Sequence, residues 1–318
     1  MQANAVGARK GKRVKLQGLG SLIGLVLIII ALSIATDNFF TVHNLFNVFR
    51  QISINALMAF GMTFVILTGG IDLSVGSILA LSSALTAGMM AAGSGTFVSV
   101  VVGLAAGLVM GAINGILVAH GRLAPFIVTL GTLTVFRGLT LVYTNGRPVT
   151  GLSESFGFLG KGYFLQIPMP IIWMALAFAV SYIILRHTTF GRRVYAVGSN
   201  EEATWLSGIS TSRVKIWVYA ISGLLAAISG MILTSRLNSA QPTAGVSYEL
   251  DAIAAVVLGG TSLSGGKGWI VGTLIGAIII GVLDNGLNLL NVSSFYQQVV
   301  KGVVILIAVL FDRSKGHK

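Results

Sequence analysis

Apolar residues fall into ten runs separated by short polar connections, at residues 20–36, 45–68, 75–93, 97–119, 124–143, 168–186, 213–236, 249–266, 268–287 and 297–312. A helix needs about 20 apolar residues to cross the hydrocarbon of a bilayer, and the runs are of that order. The pattern predicts an all-α chain, a polytopic transmembrane helical bundle of about ten spans with broken or re-entrant segments. The eighth run is the weakest, because the apolar stretch Asp251 to Leu258 stops at Gly259 and Gly260. Irregular backbone of that kind is tolerated at membrane depth only where protein buries it or an aqueous cavity receives it.

Composition agrees with the pattern. Of 318 residues 54% are apolar and 9% charged, with a mean hydropathy of +0.89, which marks an integral membrane protein. Ten crossings consume about 200 residues and leave no room for a sizeable soluble domain. The 41 glycines point to close helix contacts and to helix breaks. With no cysteine, disulfides, thiol nucleophiles and Cys-based metal sites are excluded.

The net charge of +12 raises nucleic acid as a partner, but the 21 Lys and Arg residues gather at the ends of apolar runs rather than in one stripe, so they report topology. With the amino terminus inside, one side collects Arg9, Lys10, Lys12, Arg13, Lys15, Arg122, Arg186, Arg192, Arg193, Arg213, Lys215, Lys267, Arg313, Lys315 and Lys318. The other holds only Arg50, Arg147, Lys161 and Arg236, while Arg137 and Lys301 fall within spans. That bias predicts two cytoplasmic termini. It divides the chain into a basic segment 1–19, a transmembrane domain 20–312 with a cytoplasmic loop 187–212, and a basic tail 313–318. The basic start resembles that of a signal peptide, but the many later runs favour a retained first helix.

Two sequence echoes suggest an internal repeat. Gly69-Gly70-Ile71-Asp72-Leu73-Ser74-Val75-Gly76 matches Gly259-Gly260-Thr261-Ser262-Leu263-Ser264-Gly265-Gly266 at five of eight positions, and Asn114-Gly115 echoes Asn285-Gly286. The first echo implies parallel halves and the second inverted ones, and both readings stay open here. Glycine-interrupted segments in corresponding positions are the best sequence pointer to a transport path. Gly69, Gly70, Asp72, Ser74, Gly259, Gly260, Thr261 and Asn285 are therefore the path candidates. An acid in a span costs about 2.5–3.5 kcal/mol on insertion scales, so Asp72 either faces a cavity or partner or, with Ser74, caps the third span.

Other chemistry lacks its residues. Gly260 to Lys267 misses the phosphate-loop pattern, with Gly268 where a hydroxyl belongs. His43, His120, His187 and His317 are too scattered for a ligand set, and Asp72, Glu249, Asp251 and Asp284 do not form a hydrolase signature. No enzyme, metal site or bound cofactor is expected.

Between the sixth and seventh runs lies a polar insert with five basic residues and a helix-compatible stretch, Ser199 to Ser207. Ser199 or Asn200 can cap it, Glu201 and Glu202 suit its first turn, and Gly208 can end it. Glu202-Ala203-Thr204-x-x-x-Gly208 resembles the Glu-Ala-Ala-x-x-x-Gly coupling motif of ATP-binding-cassette importer permeases, departing from it at Thr204. Val65 to Ser77, Tyr143 to Gly146, Ser239 to Gly245, Leu250 to Leu263 and Asn285 to Leu290 resemble the bacterial ribose importer permeases, from before the first span to the last.

The resemblance implies a membrane subunit of an ATP-driven monosaccharide importer in the bacterial inner membrane. Its implied partners are a second copy of itself, two ATPase subunits that carry ATP and Mg, and a periplasmic or lipid-tethered sugar-binding protein. ATPase coupling would fall to Glu201, Glu202, Ala203, Thr204, Leu206 and Gly208, and the binding protein would meet Arg147, Phe156 and Phe158. Permeases for ribose, galactose, xylose, arabinose and autoinducer-2 share the Gly-Gly signatures, and overall likeness points to D-ribose. The other reading of the same spans is a self-sufficient secondary sugar transporter or facilitator, for which Asp72 is the candidate coupling-ion group.

Overall fold

The computed structural model describes residues 19–316. The basic segment before Leu19 and the last two residues lie outside the described residues, as do the side chains of Arg313 and Lys315. The elements in order are α1 (Leu19–Ala35), α2 (Val42–Leu67), α3 (Val75–Ala91), α4 (Thr96–Ala119), α5 (Pro125–Thr144), α6 (Glu154–Lys161), β1 (Tyr163–Phe164), β2 (Ile167–Pro168), α7 (Met169–His187), α8 (Thr189–Ser199), α9 (Glu201–Leu206), α10 (Thr211–Leu237), α11 (Tyr248–Leu258), α12 (Ile270–Leu289) and α13 (Ser294–Gly316). The two strands form a single antiparallel hairpin.

Nine of the ten apolar runs coincide with a helix over most of their length, and the eighth does so only over its first part. Among the described residues, α2, α4, α5, α7, α10 and α12 are long and apolar enough to cross a membrane, and the apolar parts of α1 and α3 are shorter. The eighth run breaks as expected, because α11 has only 11 residues and the chain from Gly259 to Trp269 is irregular.

α2 is the axis of the bundle, buried without interruption from Ile52 to Leu67 and surrounded by α7, α10, α11 and α12. α4 packs along α10 through Gly103, Gly107, Gly111 and Gly115, whose spacing of four keeps them on one helix face. A Cβ at Gly107 would lie 2.7 Å from the Gly223 carbonyl oxygen, and one at Gly115 would lie 2.6 Å from Ile216 Cα. Lipid tails are as apolar as leucine, so close backbone approach of this kind, with its dispersion contacts, holds membrane helices together.

The ends of the bundle differ. At one, here the α6 end, the β-hairpin meets α2 through Arg50, whose guanidinium donates to the Tyr163 hydroxyl. α6 itself is tied to α10 by Gly160 N–H donating to Ser235 Oγ at 2.8 Å. At the other, the α9 end, α8 packs against α2 and α9 follows it toward α10. Besides the break after α11, the structure contains a second irregular stretch, residues 238–247, which leaves α10 at the α6 end and turns back into the bundle.

Candidate functional site

α9 is a six-residue helix. The Asn200 side chain caps it by accepting from Ala203 N–H at 2.9 Å. Gly208 ends it at φ +81°, a conformation glycine adopts without strain. Thr204, the departure from the coupling motif, is buried and donates its hydroxyl to the Asn200 carbonyl at 2.7 Å. Trp205 and Leu206 stand 64% and 72% exposed at its tip, and Glu201, Glu202 and Ala203 are exposed beside them. Glu201 pairs with Lys215 at 2.6 Å, which ties α9 to the first turn of α10; an ion pair this exposed contributes little stability.

The sequence pattern gave no hint of α8 as a separate helix. Its apolar positions Phe190, Val194 and Val197 recur at helical spacing, but the signal is short and interrupted by Arg192 and Arg193. Val194 and Val197 are buried while both arginines are exposed, so α8 lies on the bundle with its basic face outward. Tyr195 donates its hydroxyl to the Gly268 carbonyl at 3.0 Å. Burial raises that phenol above its ordinary range against the opposing effect of Arg186, so it remains a neutral donor.

α8 rests on the end of α2 and on the loop that follows α11. α2 ends at Thr68, with Gly69 at φ +80° and Gly70 N–H donating back to the Val65 carbonyl at 3.1 Å. α11 ends at Gly259, with Gly260 at φ +84° and Thr261 N–H donating back to Val256 at 3.2 Å. Both are left-handed helix stops with the six-to-one hydrogen bond of a Schellman motif. Structurally Gly69 therefore corresponds to Gly260, one residue away from the register of the sequence match. The loop that follows the α11 stop touches the end of α2, since Gly266 N–H donates to the Leu67 carbonyl at 2.9 Å. Gly198 of α8 approaches so closely that a Cβ there would overlap the Leu67 oxygen and lie 2.5 Å from Gly266 N.

Asp72 is 0% exposed. Its Oδ1 accepts from Ser74 N–H at 3.0 Å and from Ser74 Oγ at 2.7 Å, and its Oδ2 accepts from Ser222 Oγ at 3.1 Å. Asn114 donates to the same Ser74 hydroxyl at 2.7 Å. Ser74 sits at the cap position of α3 without a side-chain cap bond, whereas Asp72 accepts from a backbone N–H in the turn that opens α3 and ties that turn to α10. Asn285 forms a reciprocal amide pair with Asn44, at 3.0 and 2.8 Å, which joins α12 to α2. Thr261 is buried beneath Gly268, and its Oγ1 has no partner among the described residues.

At the α6 end, Arg147 and Phe158 are exposed. Phe156 is 1% exposed, packed with Met90 and Met231, and offers no surface to a partner. It anchors α6 instead. Two cations within helices, given no role by the sequence, have partners. Lys301 bridges Asp251 and Asp284 at 2.9 Å each, joining α11, α12 and α13. Arg137 donates to the Pro242 and Ala244 carbonyls at 2.7 and 2.8 Å.

A helical bundle with broken helices and a polar insert packed on the end of α2 fits a transport subunit, and the comparisons with known proteins show a permease component rather than an enzyme. The chain belongs to the family described as branched-chain amino acid transport system / permease component, which matches residues 44–309. It is 62% identical over 303 residues to the ribose import permease protein of Bacillus subtilis, covering 95% of this chain and 94% of the relative. To the ribose import permease protein of Escherichia coli K12 it is 56% identical over 299 residues, 93% of each chain. To the D-allose transport system permease protein of the same strain it is 41% identical over 292 residues, covering 91% of this chain and 90% of the relative. No solved structure matches the chain at a significant level.

Proposed function

We propose that the chain is the membrane-spanning permease of an ATP-driven importer that translocates a monosaccharide, D-ribose, handed over by a sugar-binding protein. The observation that carries the reading is the near-full-length likeness to ribose permeases, at 62% and 56% identity against 41% for the allose permease. The family description names amino acids as cargo; the relatives favour a sugar.

In this reading the chain lies in the bacterial inner membrane as a homodimer with both termini and the α9 end cytoplasmic, in keeping with the bias of basic residues. Two ATPase subunits, which hold ATP and Mg, grip α9 through Trp205, Leu206 and the acids Glu201 and Glu202. Their closure moves α8, and α8 moves what it touches: the end of α2 at Leu67 and the loop from Gly265 to Gly268. The glycine stops Gly69, Gly70, Gly259 and Gly260 then act as joints at the cytoplasmic end of the path, rather than as its polar lining. Arg147 and Phe158 at the α6 end face the sugar-binding protein.

A secondary carrier would need an exchangeable coupling-ion group. Asp72, the candidate for it, has both carboxylate oxygens occupied by hydrogen bonds within the protein, which supports the importer instead. The test is ATP hydrolysis by the purified permease, ATPase and binding-protein complex against a panel of pentoses, hexoses and leucine. Stimulation by ribose above the rest is expected. Stimulation by leucine alone would reject the cargo, and hydrolysis indifferent to the permease would reject the coupling.

A further inference from the structure

The irregular stretch 238–247 lies at a depth where exposed backbone is expensive. After α10 ends at Asn238, Ala240 pairs with Val149 at the α6 end. The chain then descends until the Pro242 and Ala244 carbonyls accept from Arg137. Arg137 is seven residues short of the last residue of α5, Thr144, which at the helix rise sets it roughly 10 Å below the α6 end. Gly245 reaches the start of α3, where a Cβ on it would lie 2.5 Å from the Gly76 carbonyl oxygen.

Arg137 thus supplies donors to carbonyls that have no helical ladder. Its Nη1 serves both carbonyls, while its Nη2 donates to the Gly76 carbonyl at 3.4 Å, so the planar group ties the stretch to the start of α3. One side of the stretch is thereby fixed to the protein. The other presents Thr243, Val246 and Ser247, all exposed, and Gln241, half-exposed. Hydroxyl and amide groups at this depth are not stable against hydrocarbon, which favours water over lipid on that surface.

Resting on the sugar-importer reading, we infer that Gln241, Thr243 and Ser247 line the aqueous path of the sugar, and that Arg137 is the positioning residue that holds them there without touching the cargo. Neutral hydroxyls and an amide exchange hydrogen bonds with a polyol and carry no fixed charge to trap it. The depth of the stretch places this contact between the α6 end, where sugar would arrive, and the glycine stops at the α9 end.

The natural absence of cysteine makes the test direct. Single replacements Thr243→Cys and Ser247→Cys, in the complete transporter in proteoliposomes, are treated with a charged, water-soluble methanethiosulfonate. Val109→Cys and Leu176→Cys, at exposed apolar positions within α4 and α7, serve as lipid-facing controls. Labelling at 243 and 247 at least tenfold faster than at the controls, and slowed by ribose during turnover, is the expected result. Labelling no faster than the controls, the outcome for a dry contact between two copies of the chain, overturns the lining.

Adding Arg137→Gln to Thr243→Cys is expected to change labelling at 243 severalfold and to cut uptake at least tenfold at an unchanged yield of assembled complex, with Arg137→Lys intermediate. Unchanged labelling and uptake, or a loss of complex that accounts for all the lost uptake, overturns the positioning role. Fast labelling without ribose protection, in a parent that takes up no sugar, overturns the cargo reading while supporting the aqueous surface.

Discussion

Replacing Gly198 by alanine tests how motion passes from the insert to the bundle. The added methyl would overlap the Leu67 carbonyl oxygen and crowd Gly266 N, the two atoms joined by the 2.9 Å bond between the end of α2 and the loop after α11. Overpacking costs about 1–3 kcal/mol, and loss of that hydrogen bond adds about 0.5–1.5 kcal/mol. Together, about 1.5–4.5 kcal/mol lowers the population of docked α8 by roughly 10- to 1,600-fold. Gly198 lies outside α9, so ATPase association should persist while sugar uptake per ATP hydrolysed falls at least tenfold. The assay is uptake and hydrolysis measured on the same proteoliposomes, with ATPase retention followed by co-purification. Ser199→Ala, a neighbouring exposed position, should stay near the parent. Parental coupling in Gly198→Ala would refute the relay through α8.

Three further outcomes follow from the packing. Asp72→Asn keeps an acceptor for Ser74 and should retain most transport and stability, whereas Asp72→Leu strands three buried donors at about 1–3 kcal/mol each and should sharply reduce the yield of folded protein in detergent. Lys301→Met leaves Asp251 and Asp284 without their shared cation, at about 3–5 kcal/mol. It should lower the thermal aggregation midpoint, and adding Asp251→Asn with Asp284→Asn should restore much of it. Gly107→Ala presses α4 away from α10 and should destabilise by about 1–3 kcal/mol on the same assay, while Gly131→Ala, whose Cβ meets nothing within 4 Å, should be neutral.

The helices were legible because a membrane helix is written in a single property. The run 45–68 became Val42–Leu67 and 213–236 became Thr211–Leu237, since the ends of a span are set by where apolar residues stop. The α9 cap and the left-handed Gly208 were legible for a similar reason: Asn200, Glu201, Glu202 and Gly208 each have a local preference that nothing distant opposes. α8 was not, because three apolar residues among arginines read equally as a charged loop.

The fold of 238–247 was hidden more deeply. Although Ser239 to Gly245 carried the family resemblance, its conformation depends on Arg137, whose partners are backbone carbonyls, and carbonyls leave no trace in a side-chain pattern. The glycine echo was visible but misaligned, because identical letters pair Gly69 with Gly259 whereas the left-handed backbone pairs Gly69 with Gly260. Phe156 looked like an interface residue by type, and only the packing with Met90 and Met231 revealed an anchor.

The energy source of uptake tests the account most directly. With the permease, its ATPase and a ribose-binding protein reconstituted together, labelled ribose should accumulate only with ATP and the binding protein present, and a protonophore should leave the rate unchanged. Accumulation that survives ATP removal and collapses with the protonophore would contradict the importer and establish a secondary carrier.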